Sequence, residues 1–278
     1  MRKTFRISIC QNKVTDNKQK NIDKAIKLLE ESKSGGADMA ILPEMFNCPY
    51  ENSRFGEFSE EVGSGETLKA ISDAAKSNSI YVIAGSIPER LDGRLYNSSF
   101  VFDRNGIIIG NHKKMHLFDI DVEGKIRFME SDTLTPGSKI TVVDTEFCKV
   151  GLAICYDIRF PELHRLMALQ GAKLIVIPGA FNMVTGPAHW EILMRARALD
   201  NQVYFAAASP ARDEAANYIA YGNSMVVEPW GDVISRAGTD EEVIFADIDL
   251  TRVDKVRDEL PLLKHRRTDI YNLSGKKG

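Results

Sequence analysis

The chain has 278 residues, with 36 basic and 39 acidic side chains and a formal net charge of −3. This near-balance excludes the basic footprint of a nucleic-acid binder and a polybasic membrane anchor, and no apolar run approaches the ~20 residues of a bilayer-spanning helix. At 44% hydrophobic and 27% charged it reads as a globular protein, and Cys10, Cys48, Cys148 and Cys155 form no CxxC pair, which points away from zinc or a disulfide framework and toward a reducing, cytoplasmic setting.

The charged N-terminus has no apolar leader and passes straight into a strand at Phe5–Cys10. Ile22, Ala25, Ile26, Leu28 and Leu29 space a helix over Asn21–Glu31, which Gly35-Gly36 closes. Met39–Leu42 reads as a short buried strand running into Pro43-Glu44. A helix over Thr67–Lys76 precedes a strand at Ile80–Ala84, and Ser98–Phe102 with Gly106–Gly110 reads as a hairpin around Asp103-Arg-Asn-Gly106. Val150–Ile154 is an apolar run stopping at Cys155, and Pro161 opens a helix to Leu169. Strand Lys173–Ile177, helix His189–Asp200 and strands Val203–Ala208, Gly222–Val227 and Val243–Ile248 complete the alternation. No linker or repeat divides the chain, so residues 1–278 are expected to form one domain, with 260–278 as a polar, basic C-terminal arm.

Reactive side chains stand at three strand ends. Cys155 lies just ahead of a helix start, where backbone amides and the helix dipole would lower a thiol toward thiolate; a buried structural cysteine is the plainer reading. Glu44 follows a buried strand and a proline. Lys114 lies in His112-Lys-Lys-Met-His-Leu-Phe-Asp119, where alternation aims Lys113 and Lys114 at opposite faces, so only one can reach the thiol. A strand-end Glu or Lys alone is ordinarily a solvated surface group. A Cys–His pairing through His116 or His189 is the competing arrangement, but Ile154 and Tyr156 flank the thiol where a Gly-x-Cys-x-Gly elbow would carry glycines.

Taken together, these segments resemble the nitrilase (carbon–nitrogen hydrolase) superfamily over essentially the whole chain. The resemblance places Glu44, Lys114 and Cys155 as a Glu-Lys-Cys triad and selects Lys114 over Lys113. It adds Glu130, in Phe128-Met-Glu-Ser-Asp, as a second glutamate beside the lysine. It implies an α/β fold of the α-β-β-α sandwich type, two mixed six-stranded sheets flanked by helices, and a homodimer. In that scheme Glu44 is the general base, Cys155 the nucleophile, and Lys114 with the Tyr156 N–H the oxyanion donors. Thiol, carboxylate and ammonium then supply all the chemistry, so no metal or organic cofactor is expected.

Lys114–Asp121, Cys155–Leu163, Phe181–Trp190, Asp200–Tyr204 and Ser209–Asp213 are most similar to the ω-amidase branch. That similarity implies a small-molecule substrate, the terminal amide of a short α-keto acid. Arg159, and after it Arg212, are the candidates for the substrate carboxylate, while Arg159 paired structurally with Glu162 or Asp157 is the alternative. Phe118, Tyr50 and Tyr156 are candidate pocket walls, although core packing is the plainer reading for Phe118, and Phe181-Asn182 is expected at the rim of Cys155. The rival activities are a sister amidase for deaminated glutathione or N-carbamoyl amino acids, a nitrile hydrolase, and a non-catalytic scaffold.

Overall fold

In the computed structural model, which describes residues 2–124 and 126–275, six strands open the first sheet. They are β1 (Thr4–Gln11), β2 (Met39–Ile41), β3 (Tyr81–Ile83), β4 (Ile87–Leu91), β5 (Arg94–Phe102) and β6 (Ile108–Lys113). A two-stranded hairpin, β7 (Asp119–Val122) and β8 (Ile126–Met129), stands apart. The second sheet is built from β9 (Thr141–Asp144), β10 (Lys149–Leu152), β11 (Ala172–Pro178), β12 (Tyr204–Ala208), β13 (Met225–Val227) and β14 (Val233–Arg236). Finally β15 (Glu242–Asp249) returns to pair antiparallel with β1.

Both sheets are mixed. β1–β2 and β2–β3 are parallel while β3–β5 is antiparallel, and in the second sheet β10–β11 and β11–β12 are the parallel pairs. The first sheet has seven strands but is six ranks wide. Ser98 pairs with Ile87 of β4 on one side and Lys113 of β6 on the other, while Phe102 pairs with Val82 of β3 and Ile108 of β6. β3 and β4 therefore occupy successive stretches of one edge of β5.

The pleat sorts each strand's side chains into two cores. Ile7, Ile9, Met39 and Ile41 meet Val150, Leu152, Leu174 and Val176 between the sheets. On the outer face of the first sheet, Ala40, Leu42 and Val82 pack against α1 (Lys18–Ser34) and, beyond α2 (Asn52–Phe58), α3 (Glu66–Asn78). Ile175, Ile177, Phe205 and Ala207 face α4 (Pro161–Leu169) and α5 (Gly186–Asn201) on the other side. The result is helix, sheet, sheet, helix.

The sequence pattern passes over several short pieces. α2 has seven residues with Gly56 inside, and β7 and β8 have four each, too few to establish a period. α6 (Leu250–Glu259) does show its buried stripe, Leu250, Val253 and Val256, among charged residues, and the Asp249 side chain caps it. Of the C-terminal arm, Arg266, Tyr271 and Leu273 lie beside Pro161, Arg165 and Asn201; residues 276–278 fall outside the described residues. Among the described residues no helix is long and apolar enough to cross a membrane.

Candidate active site

β2 runs through Leu42-Pro43 into Glu44, β6 stops one residue before Lys114, and β10 leads through Ala153-Ile154 to Cys155. The sheet edges meet at this point, because the Ala180 N–H, just past β11, donates to Glu44 Oε2 at 2.7 Å. The Glu44 turn is tightly seated. A Cβ on Gly85 would stand 1.9 Å from the Pro43 carbonyl oxygen, so only glycine fits. Met45 adopts a left-handed φ of 51°, and its N–H donates to Ser86 Oγ at 3.0 Å.

The pleat separates the two lysines as alternation requires. Lys113 Nζ pairs with Glu89 at 3.0 Å and lies over the Tyr96 ring. Lys114 is fully buried, with Nζ 3.0 Å from Glu44 Oε1, 2.8 Å from Glu130 Oε2 and 3.1 Å from the Tyr50 hydroxyl. Burial alone would lower the ammonium's pKa, but Glu130 and Glu44 together raise it, so it stays charged. The carboxylates have further donors. Asn97 Nδ2 reaches Glu44 Oε1 at 2.8 Å, and the Phe118 N–H reaches Glu130 Oε2 at 2.7 Å. Each buried charge is thus hydrogen-bonded, the condition under which such a cluster is tolerable.

Cys155 starts a single 3₁₀ turn, Cys155–Arg159, at a positive φ of 45°, which is a strained conformation for a residue with a Cβ. Its thiol is the point at which the expectation from sequence reverses. Burial pushes its pKa well above the usual thiol range, the Glu44 carboxylate pushes it further, and the opposing pull of Lys114 is smaller. Burial and the Glu44 charge together favour the protonated thiol over the thiolate. The Tyr156 N–H lies in that first turn, where helical amides have no intrahelical partner.

The remaining candidates divide. Tyr50 is more than a wall, since its hydroxyl contacts Lys114, Glu44 and Glu130 while its ring packs on Tyr218 at 4.7 Å. Phe118 is buried, packs edge-on to Tyr156 and anchors Glu130 through its N–H. Phe181 packs in the same core as Cys155. Asn182 Oδ1 caps the next turn by accepting the Val184 and Thr185 N–H groups. Arg159 makes no carboxylate pair among the described residues; its guanidinium lies over Phe181 and Tyr156, with Nη1 3.2 Å from His189 Nδ1. Asp157, its suggested structural partner, is engaged by His112 and His116 instead. Arg212 is held by the Tyr221 carbonyl at 3.0 Å and does not join the cluster.

Sequence reasoning missed Asn97, the Ala180 amide and Tyr218. Tyr218 donates to the Ala180 carbonyl at 2.5 Å and lines a cleft with Glu44, Tyr50 and Ala180. A buried thiol beside a carboxylate and an ammonium, at the strand ends of a four-layer sandwich, is a set of groups suited to acyl transfer through a cysteine. The carbon-nitrogen hydrolase family profile matches residues 6–258, and the chain belongs to that family. The chain is 52% identical to omega-amidase NIT2 of Xenopus tropicalis, covering 98% of this chain and 99% of that protein. It is 47% identical to omega-amidase NIT2 of Homo sapiens, over 99% of each. Among solved structures it resembles Saccharomyces cerevisiae Nit3, a member of branch 10 of the nitrilase superfamily, with a TM-score of 0.88 and 37% identity over 95% of this chain and 97% of that one. The NitFhit protein of C. elegans superposes with a TM-score of 0.90 at 33% identity, over 99% of this chain and 68% of that one. The chain is an amidase of this family.

Proposed function

We propose that the chain is an ω-amidase that hydrolyses the terminal amide of short α-keto acid amides, such as α-ketoglutaramate and α-ketosuccinamate, through a Cys155 thioester. The observation carrying the chemistry is the buried Lys114 ammonium held between Glu44 and Glu130 beside a thiol kept protonated. Glu44 takes the Cys155 proton as sulfur attacks the amide carbon. Lys114 and the Tyr156 N–H stabilise the resulting oxyanion, donors of a kind that each contribute about 3–4 kcal/mol. Protonated Glu44 then delivers its proton to the amide nitrogen, the C–N bond breaks and ammonia leaves. Water, deprotonated by Glu44, attacks the thioester carbon; the C–S bond breaks, sulfur regains that proton from Glu44, and the acid product departs and ionises in solution. Glu130, fixed by the Phe118 N–H, keeps Lys114 aimed.

The substrate assignment draws on the names of the NIT2 relatives and on Arg159, a cation with no carboxylate partner among the described residues, four residues past the nucleophile. A guanidinium so placed suits the α-carboxylate of a keto acid. Initial rates across α-ketoglutaramate, α-ketosuccinamate, deaminated glutathione and N-carbamoyl-β-alanine test it. Preference for the first two is expected, and preference for either of the others overturns it. We also propose a homodimer, since α5 exposes Ile192 and Leu199 beside the half-exposed Trp230. A cytoplasmic setting fits four free, buried cysteines.

A further inference from the structure

Asp157 lies two residues past the nucleophile, is fully buried, and has no part in the steps above. Oδ2 accepts the Ile154 N–H at 2.9 Å and faces His112 Nε2 at 3.2 Å. Oδ1 accepts the His116 N–H at 2.9 Å and faces His116 Nδ1 at 2.7 Å. An ionised carboxylate only accepts, so both rings present an N–H to it and its acceptor sites are filled. Burial works against the charged form, but His112 and His116 outweigh it and hold the carboxyl well below the usual range.

The donors belong to both reactive segments. Ile154 immediately precedes Cys155, while His112 and His116 bracket Lys114. The Asp157 N–H also donates to the Ile154 carbonyl at 3.0 Å, closing a tight ring about Cys155. The positive φ of 45° there is strained for a residue with a Cβ and persists only where the surroundings enforce it. The histidines are themselves fixed. His116 stacks on Phe160 with centroids 3.6 Å apart, and His112 Nδ1 lies 3.0 Å from Thr141 Oγ1.

We infer that Asp157 is a positioning residue: by gripping Ile154, His112 and His116 together, it sets the Cys155 sulfur against the Lys114 ammonium. It touches no reacting atom. The inference rests on the proposed roles of Cys155 and Lys114.

Asp157→Asn keeps the shape but replaces one acceptor with a donor facing other donors. Misplacement of reacting groups lowers turnover more than binding, so kcat for α-ketoglutaramate is expected to fall about 30-fold or more with KM within about threefold. His116→Asn restores a side-chain N–H near the place of Nδ1, whereas His116→Leu does not. The first is expected within about fivefold of wild-type kcat and the second to fall with Asp157→Asn, as a lost charge-assisted hydrogen bond requires. Wild-type kcat in Asp157→Asn, or equal kcat in the two His116 variants, overturns the inference. If Asp157→Asn does not fold, the His116 pair decides, because that ring is 30% exposed and tolerates change. Full activity in Cys155→Ala would count against the nucleophile assignment, which separates that failure from failure of the clamp.

Discussion

Lys114 Nζ lies 3.0 Å from Glu44 Oε1, and neither side chain reaches solvent. The pair cannot be treated as two independent residues. The carboxylates of Glu44 and Glu130 together hold the Lys114 ammonium in its charged form, the state in which the proposed mechanism uses it as an oxyanion donor. Removing either partner strands an uncompensated charge in the interior, so loss of activity and loss of stability are linked at this site.

Lys114→Met is accordingly expected to leave Glu44 and Glu130 facing one another without a counter-charge. Urea unfolding should show a loss of about 3–5 kcal/mol, and ammonia release should fall by at least about 100-fold in the protein that remains folded. Unchanged stability would mean that the buried pair is less tightly coupled than its geometry implies.

Glu44→Gln separates thiol reactivity from turnover. Glu44 is one of the groups raising the Cys155 thiol, whereas Lys114 pulls it down. Neutralising Glu44 therefore shifts the midpoint of iodoacetamide alkylation to lower pH than in the wild type, although ammonia release is lost. A midpoint at or above the wild-type value would contradict the electrostatic assignment.

Tyr50→Phe keeps the ring packed against Tyr218 and Phe128 but deletes the hydroxyl shared by Lys114, Glu44 and Glu130. A stability loss of about 1–2 kcal/mol and a roughly tenfold fall in kcat are expected, from thermal unfolding and steady-state rates respectively. An effect confined to KM would return Tyr50 to a simple wall.

Arg159→Lys retains the charge but loses the flat fork that stacks on Phe181 and Tyr156. KM for α-ketoglutaramate should rise at least about tenfold, and KM for an amide lacking the α-carboxylate should move little. Equal changes for both substrates would make Arg159 a structural residue.

His164 supplies a pH dependence of stability. Burial pushes its imidazole down to about 4, so the folded state holds it neutral. Its stabilising contribution is complete above the unfolded value near 6.5 and is lost progressively as pH falls toward 4, by about 3 kcal/mol. His164→Asn should flatten that acid limb in thermal unfolding scans, and an unchanged limb would assign it to other groups.

Much of this arrangement is legible in the chain. Glu44 and Cys155 stand where apolar runs end, Lys114 lies in an alternating stretch that aims it and Lys113 at opposite faces, and only the resemblance to the nitrilase superfamily groups the three and selects Lys114. The contacts between these segments are less legible. Asn97 sits inside an ordinary strand, and Ala180 contributes only a backbone amide, which carries no side-chain signature. Tyr50 reads as an apolar wall because its ring is in fact packed, and only the fold shows its hydroxyl meeting three charged groups. Helix-start logic points Cys155 toward thiolate because it is local, whereas the burial and the Glu44 charge that push the thiol the other way come from other segments. α2 and the β7–β8 hairpin escape notice because seven and four residues do not establish a period.

Ammonia release from α-ketoglutaramate by Cys155→Ala tests the nucleophile most directly. The variant removes only a sulfur atom from a well-packed site, so its circular dichroism and unfolding midpoint should remain close to those of the wild type. The expected result is a folded protein releasing no ammonia above the uncatalysed rate. Wild-type ammonia release by that folded protein would contradict thioester catalysis at Cys155.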